Sequence, residues 1–362
     1  MQNTIIKNNE ARTGFQTENK LEIQQLFLDH IYGDVRQPDV TPTFEKKELG
    51  VKLFRKGAKA RFEEVTIFYG EKNLKLLLIK PIMETQAKLP CFLFLNSRGN
   101  HTVTNCKFVP KSTAWAPKET IADKKQNKYG GHQTRFDVES MLKNGYIVAT
   151  IHESNIAVDN KDLNTDGCVI ARWADGLSRC VDYLVTDTQI DNNKIAVTGF
   201  SRRAKAATLA TALDERIALL IAHQSGTGGL APSLKIRAGA ETVEQINEKF
   251  PHWFNERFKS YNSSENLPPV EQFDLFALIS PRPVLATSAR DDIWSDPVGT
   301  FGTMKAATKY YEASHVNPCP QAHMDDMPVL SSPLCYFLRD GDHGITHCDW
   351  AKFIDFANTH FK

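Results

Sequence analysis

The chain has 362 residues, with 44 Lys plus Arg against 43 Asp plus Glu, a formal net charge of +1 and 41% apolar residues. That balance projects no broad electrostatic field, which argues against a nucleic-acid coat or an anionic-membrane binder, and the composition is that of a folded globular protein. The longest purely apolar run, 217–222, falls far short of the ~20 residues a membrane span needs.

Residues 1–16 are polar and contain no apolar signal core, so the chain reads as cytoplasmic or as a mature form whose export signal has been removed. The seven cysteines are scattered without a Cys-x-x-Cys pair, which argues against a zinc ribbon, an iron–sulfur site or a thioredoxin-type motif. Residues 1–45 are polar and irregular, with a short helix expected at 20–32, and 1–59 read as an N-terminal extension packed on the domain. Strand-like segments at 63–69 and 74–79 flank a turn at 70–73, and 90–95 is an apolar run of the kind that forms a fully buried strand. Strand and helix signals then alternate: helix 136–143, strand 145–151, helix 170–184, strand 194–198, helix 203–213 and strand 217–222. After an irregular stretch come strand 283–288, helix 298–311, strand 336–339 and helix 349–361. A hairpin followed by repeated strand–helix units predicts an α/β fold with a mostly parallel, doubly wound sheet covered by helices on both faces. It forms one domain over 60–362, with an insertion around 226–272 near the carboxyl edge of the sheet, where ligands bind in such folds.

The segment with the most chemistry is Gly199-Phe200-Ser201-Arg202-Arg203-Ala204-Lys205, where a buried strand runs into a serine and an Ala-rich helix begins at once. This is the setting of a nucleophile elbow, a tight strand-to-helix turn that lifts a hydroxyl clear of the sheet. The competing reading is a serine that only caps the helix. A hydrolase of this kind needs an acid and then a histidine later in the chain, each after its own strand. Strand 283–288 is followed by Asp291, Asp292 and Asp296, and strand 336–339 by His343, flanked by Gly341 and Gly344. A serine hydroxyl is a weak nucleophile until a neutral imidazole takes its proton, and a carboxylate must orient that imidazole. His343 is the expected base, with His347 as the fallback and His360 too far along the final helix. A metal held by His343, His347 and Asp349 fits a glycine-flanked loop poorly.

The heptapeptide around Ser201 resembles the G-x-S-R-x-G-K motif of the glucuronoyl esterases, carbohydrate esterase family 15. The similarity continues through 212–216, 224–229, 239–242, 250–254 and 281–283, and upstream through 96–101 and 172–179, so it spans roughly 60–362 in order. The resemblance implies an α/β-hydrolase that cleaves esters between the 4-O-methyl-glucuronic acid branches of xylan and lignin alcohols through a Ser-His-Asp acyl-enzyme. It implies Ser201 as nucleophile, His343 as general base, and Arg202 as oxyanion stabiliser through its backbone N–H and its guanidinium. Lys205, Glu241 and Trp294 match positions that contact the sugar. In many family members the acid is a Glu in a Q-E-S-G segment; here Gln224 occupies that place and cannot carry charge. The acid is therefore assigned to Asp292, with Asp291 and Asp296 as rivals. A second departure is Ala204 in place of the motif glycine. The expected partner is a glucuronoxylan-type carbohydrate ester, with no nucleic acid, membrane, metal or organic cofactor, for a monomer that is secreted or periplasmic. Two alternatives stand beside this reading: an esterase for acetylated or other sugars, and a catalytically weak carbohydrate-binding homologue.

Overall fold

Apolar side chains alternate along the central strands, and the period of two sends each alternate set to a different face. Cys91, Leu93 and Leu95 join one buried cluster, while Phe92 and Phe94 between them join another. The computed structural model describes residues 20–362 except 37–39, 86, 165, 235–236, 264 and 316. The polar stretch 1–16 lies outside the described residues.

Nine strands among the described residues form one sheet: β1 (Thr43–Leu53), β2 (Lys59–Tyr69), β3 (Lys72–Pro81), β4 (Leu89–Asn96), β5 (Ile147–His152), β6 (Ile190–Phe200), β7 (Leu219–His223), β8 (Val284–Ala289) and β9 (Leu334–Arg339). Their order is β1-β2-β3-β5-β4-β6-β7-β8-β9. The first three run antiparallel, β3 meets β5 antiparallel, and every later pairing is parallel. One face is covered by α1 (Lys20–Phe27), α3 (Val169–Leu184) and α4 (Arg202–Leu213); the other is covered by α2 (Val138–Lys143) and α6 (His347–Phe361). Between β8 and β9 lies α5 (Pro297–Ala306). This is the α/β-hydrolase arrangement expected from the alternation of elements.

The sheet also takes in β1, which falls inside the stretch expected to be an N-terminal extension. Its residues are mostly exposed, with Lys46 and Lys47 standing in water, so no alternation of apolar and polar residues marks it as a strand. Such charged outer strands also blunt the sheet against edge-to-edge pairing. The insertion after β7 carries the short helix Val243–Lys249 and packs back on the chain's start: the Tyr32 hydroxyl donates to Gly228 O at 2.9 Å.

Candidate active site

The elbow is built by close packing at the end of β6. An added Cβ on Gly199 would stand 2.3 Å from Arg203 O and 2.5 Å from Ala204 N, so only glycine allows the helix to start so near the strand. Ser201 itself adopts φ 60° and ψ −130°, a conformation that serine rarely takes and that stores strain. Neighbouring backbone holds it there, because Ser201 N–H donates to His223 O at 2.9 Å and Ser201 O accepts from Ala204 N–H at 2.8 Å. The Ala204 methyl is fully buried in the core between α4 and the sheet, so the departure from glycine at this position is absorbed by packing.

The base and acid stations converge on the same edge. His343 Nδ1 lies 2.7 Å from Asp292 Oδ2. An ionised carboxylate only accepts, so Nδ1 carries the proton and Nε2 is left with its lone pair. Burial pushes the Asp292 carboxyl up, but the bonds from His343 and Ser295 outweigh it and hold the group below its ordinary range. Phe200, the residue before the serine, lays its ring against the His343 imidazole with centroids 4.7 Å apart. Neither rival carboxylate is placed at the His343 ring. Asp291 is exposed, and Asp296 caps α5 by accepting from Gly299 N–H at 2.8 Å. His347 faces Asp137 at 3.0 Å, away from the serine's partners.

Arg202 follows the serine, and its guanidinium pairs with Asp159 while lying 4.7 Å over the Trp253 ring and 5.3 Å over Phe250. Asp159 also accepts from His252 Nε2 at 3.0 Å and from Trp253 Nε1 at 2.7 Å. Burial works to raise its carboxyl, yet these three donors keep it well below the usual carboxylate range. Asp159 had no signal in the sequence, since its partners lie far away in the chain. The segment 250–254 stood out as a family match, but only the fold shows that its aromatic rings and His252 brace the arginine.

One helical turn on, Lys205 is buried at 3% exposure and donates to Ser225 O at 2.6 Å and to Thr227 O. Burial lowers its ammonium to about 8, with the nearby Glu241 carboxylate opposing the shift. Glu241 Oε1 accepts from Trp294 Nε1 at 3.0 Å, and the Trp294 ring is 41% exposed. An added Cβ on Gly226, where φ is +62°, would lie 3.5 Å from Lys205 Nζ and 3.8 Å from Glu241 Oε2, so the glycine keeps a gap open between cation and carboxylate. The three residues expected to meet a sugar thus form one row beside the elbow. Next to the elbow, a small cavity of about 30 Å³, room for little more than a water molecule, is lined by Phe94, Phe136, Phe200, Arg203, Ile345 and Trp350, among others. Among the described residues no group of three or more His, Cys, Asp or Glu side chains converges as a metal site would require.

Comparison with known proteins decides the family. A family model described as glucuronyl esterase of fungi matches residues 161–314. Carbohydrate esterase MZ0003, from an unknown prokaryotic organism, is 36% identical across 94% of this chain and 83% of its own length. The chain belongs to carbohydrate esterase family 15. Among solved structures, a promiscuous family 15 esterase from a marine bacterial metagenome superposes on this esterase with a TM-score of 0.83, at 34% identity over 95% of this chain and 91% of its own. The glucuronoyl esterase of Solibacter usitatus follows the esterase nearly as well, with a TM-score of 0.81 at 30% identity over 96% of this chain and 93% of its own. No helix among the described residues of the esterase is long and apolar enough to cross a membrane.

Proposed function

We propose that this esterase hydrolyses glucuronic-acid esters of the kind that join 4-O-methyl-glucuronoxylan to lignin alcohols, with Ser201, His343 and Asp292 as its catalytic triad. The observation that carries the reading is the juxtaposition of an Asp292–His343 pair at 2.7 Å, a strained serine at the elbow, and a buried polar row suited to a uronic sugar. The names of the relatives that share its full length support the same substrate class.

In this mechanism His343 Nε2 takes the Ser201 hydroxyl proton as Oγ bonds to the uronoyl carbonyl carbon. The carbonyl oxygen becomes an oxyanion, held by the Arg202 backbone N–H at the start of α4 and by its guanidinium, which Asp159 and the Trp253 ring keep in place. As the tetrahedral species collapses, the ester C–O bond breaks and His343 gives its proton to the departing alcohol. Water then repeats the sequence on the acyl-enzyme, regenerating Ser201 and releasing the free uronic acid. Asp292 stabilises the imidazolium formed in both halves. Lys205 has two of its three donors on backbone carbonyls and directs the third, with Glu241 and the Trp294 face, at the sugar hydroxyls. The enzyme works as a monomer outside the cytoplasm, where its polymeric substrate lies.

The test compares a methyl glucuronate ester with a sugar acetate. The expected result is turnover of the uronate ester that Ser201→Ala abolishes to within about 10³–10⁴-fold of the uncatalysed rate. Activity confined to the acetate would overturn the uronate assignment, and uronate turnover surviving Ser201→Ala would overturn the triad.

A further inference from the structure

The last residue of β7 and the residue that follows it, His223 and Gln224, are both buried, and the mechanism above uses neither. Their contacts reach the loop that carries the base. Gly344, the residue after His343, gives its N–H to Gln224 Oε1 at 2.9 Å. Its carbonyl lies 2.7 Å from His223 Nε2. A carbonyl only accepts, so Nε2 carries the proton, and Nδ1 accepts from the Thr287 hydroxyl. Burial lowers the His223 imidazole against the pull of Asp349, 3.9 Å from Nε2, and the Gly344 carbonyl and Thr287 hydroxyl orient its ring. The same residue's backbone carbonyl holds the Ser201 N–H at 2.9 Å. One short piece of backbone therefore touches both the residue that bears the nucleophile and the residue next to the base.

Gln224 is informative for what it leaves undone. Gly344 fixes its amide orientation by demanding an acceptor, and Nε2 is then buried with no hydrogen-bond partner among the described residues. A buried donor without a partner is costly, so the side chain is held here for its oxygen alone. The backbone at this position also sits at φ 49°, which serves to aim the side chain at the histidine loop.

We propose that His223 and Gln224 form a hydrogen-bonded clamp that sets the distance of His343 from Ser201, with the Gln224 oxygen as the chief positioning atom. In this chain the place of a charged acid is taken by an amide that acts on the base through Gly344 and not through charge. Arg339 Nη2 also donates to Gly344 O at 2.7 Å, so losing the His223 N–H leaves that carbonyl one donor, whereas the Gly344 N–H has Gln224 as its partner. The inference rests on the triad reading given above.

The experiment measures kcat and KM on a methyl glucuronate ester, with thermal unfolding of each variant alongside. Gln224→Met removes the acceptor at similar length; it is expected to lower kcat about tenfold or more at nearly unchanged KM, because small displacements of a base cost rate and not binding. Gln224→Glu keeps an acceptor oxygen, discards the orphaned donor, and is expected to restore kcat. His223→Phe retains the ring packing and loses both the N–H to Gly344 and the acceptor for the Thr287 hydroxyl, with a smaller fall in kcat expected because Arg339 still holds the Gly344 carbonyl. An unchanged kcat in Gln224→Met, a loss seen only in KM, or failure of Gln224→Glu to restore the rate in a folded protein overturns the clamp. If instead Ser201→Ala leaves turnover intact, the triad reading itself has failed and the clamp fails with it.

Discussion

At the scale of single residues, Lys205, proposed to meet the sugar, shows how burial tunes a cation. Its ammonium is enclosed, two protons are committed to Ser225 and Thr227, and desolvation brings it down to about 8 against the pull of Glu241. Below that pH the group is a cation with one donor to spare; above it, charge and donor strength are lost. KM for a uronate ester is therefore expected to climb as pH rises through about 8, while kcat changes less. Lys205→Arg stays protonated and should flatten that climb at whatever KM it begins from. Profiles of kcat and KM between neutral and mildly basic pH check this, and a flat wild-type KM would contradict it. The elbow at Ser201 and the loop placing His343 beside Asp292 were legible from the sequence because strand, small residue and flanking glycines mark them locally. Asp159, His223 and the use of Gln224 were not, because each acts through a partner that only the folded chain brings near.

At the scale of elements, the elbow depends on how closely α4 approaches β6. Ala204, Ala206, Ala207 and Ala210 are all fully buried, and their small side chains let the helix lie flat between the sheet and α3. Restoring the family residue by Ala204→Gly removes a buried methyl and adds backbone freedom to a helix, for an expected loss of about 1–2 kcal/mol. Urea unfolding measures that loss, and KM should stay within a few-fold because the methyl faces the core. A stabilised Ala204→Gly variant would show instead that the methyl strains the turn. Most strands and helices could be read in advance, since buried parallel strands are short apolar runs and amphipathic helices repeat every three to four residues. β1 escaped because an exposed, lysine-rich outer strand has no buried face to pattern it. Its place was visible only once β2 had a free edge to offer.

At the scale of the whole molecule, a net charge of +1 says nothing about the site, where charges are arranged locally and mostly cancel. Arg202 is matched by Asp159 and Arg203 by Glu153, so the edge of the sheet is highly polar without projecting a long-range field. The insertion after β7 supplies Glu241 and the rings that brace Arg202, so the polar row and the arginine beside the elbow are both completed from one segment. The pair on which the account depends is Asp292 with His343. The most direct measurement is kcat/KM on a methyl glucuronate ester for Asp292→Asn beside Asp291→Asn. The account predicts a loss of about 10³–10⁴-fold in the first and a change of no more than a few-fold in the second. An active Asp292→Asn enzyme, or a dead Asp291→Asn one, would contradict it.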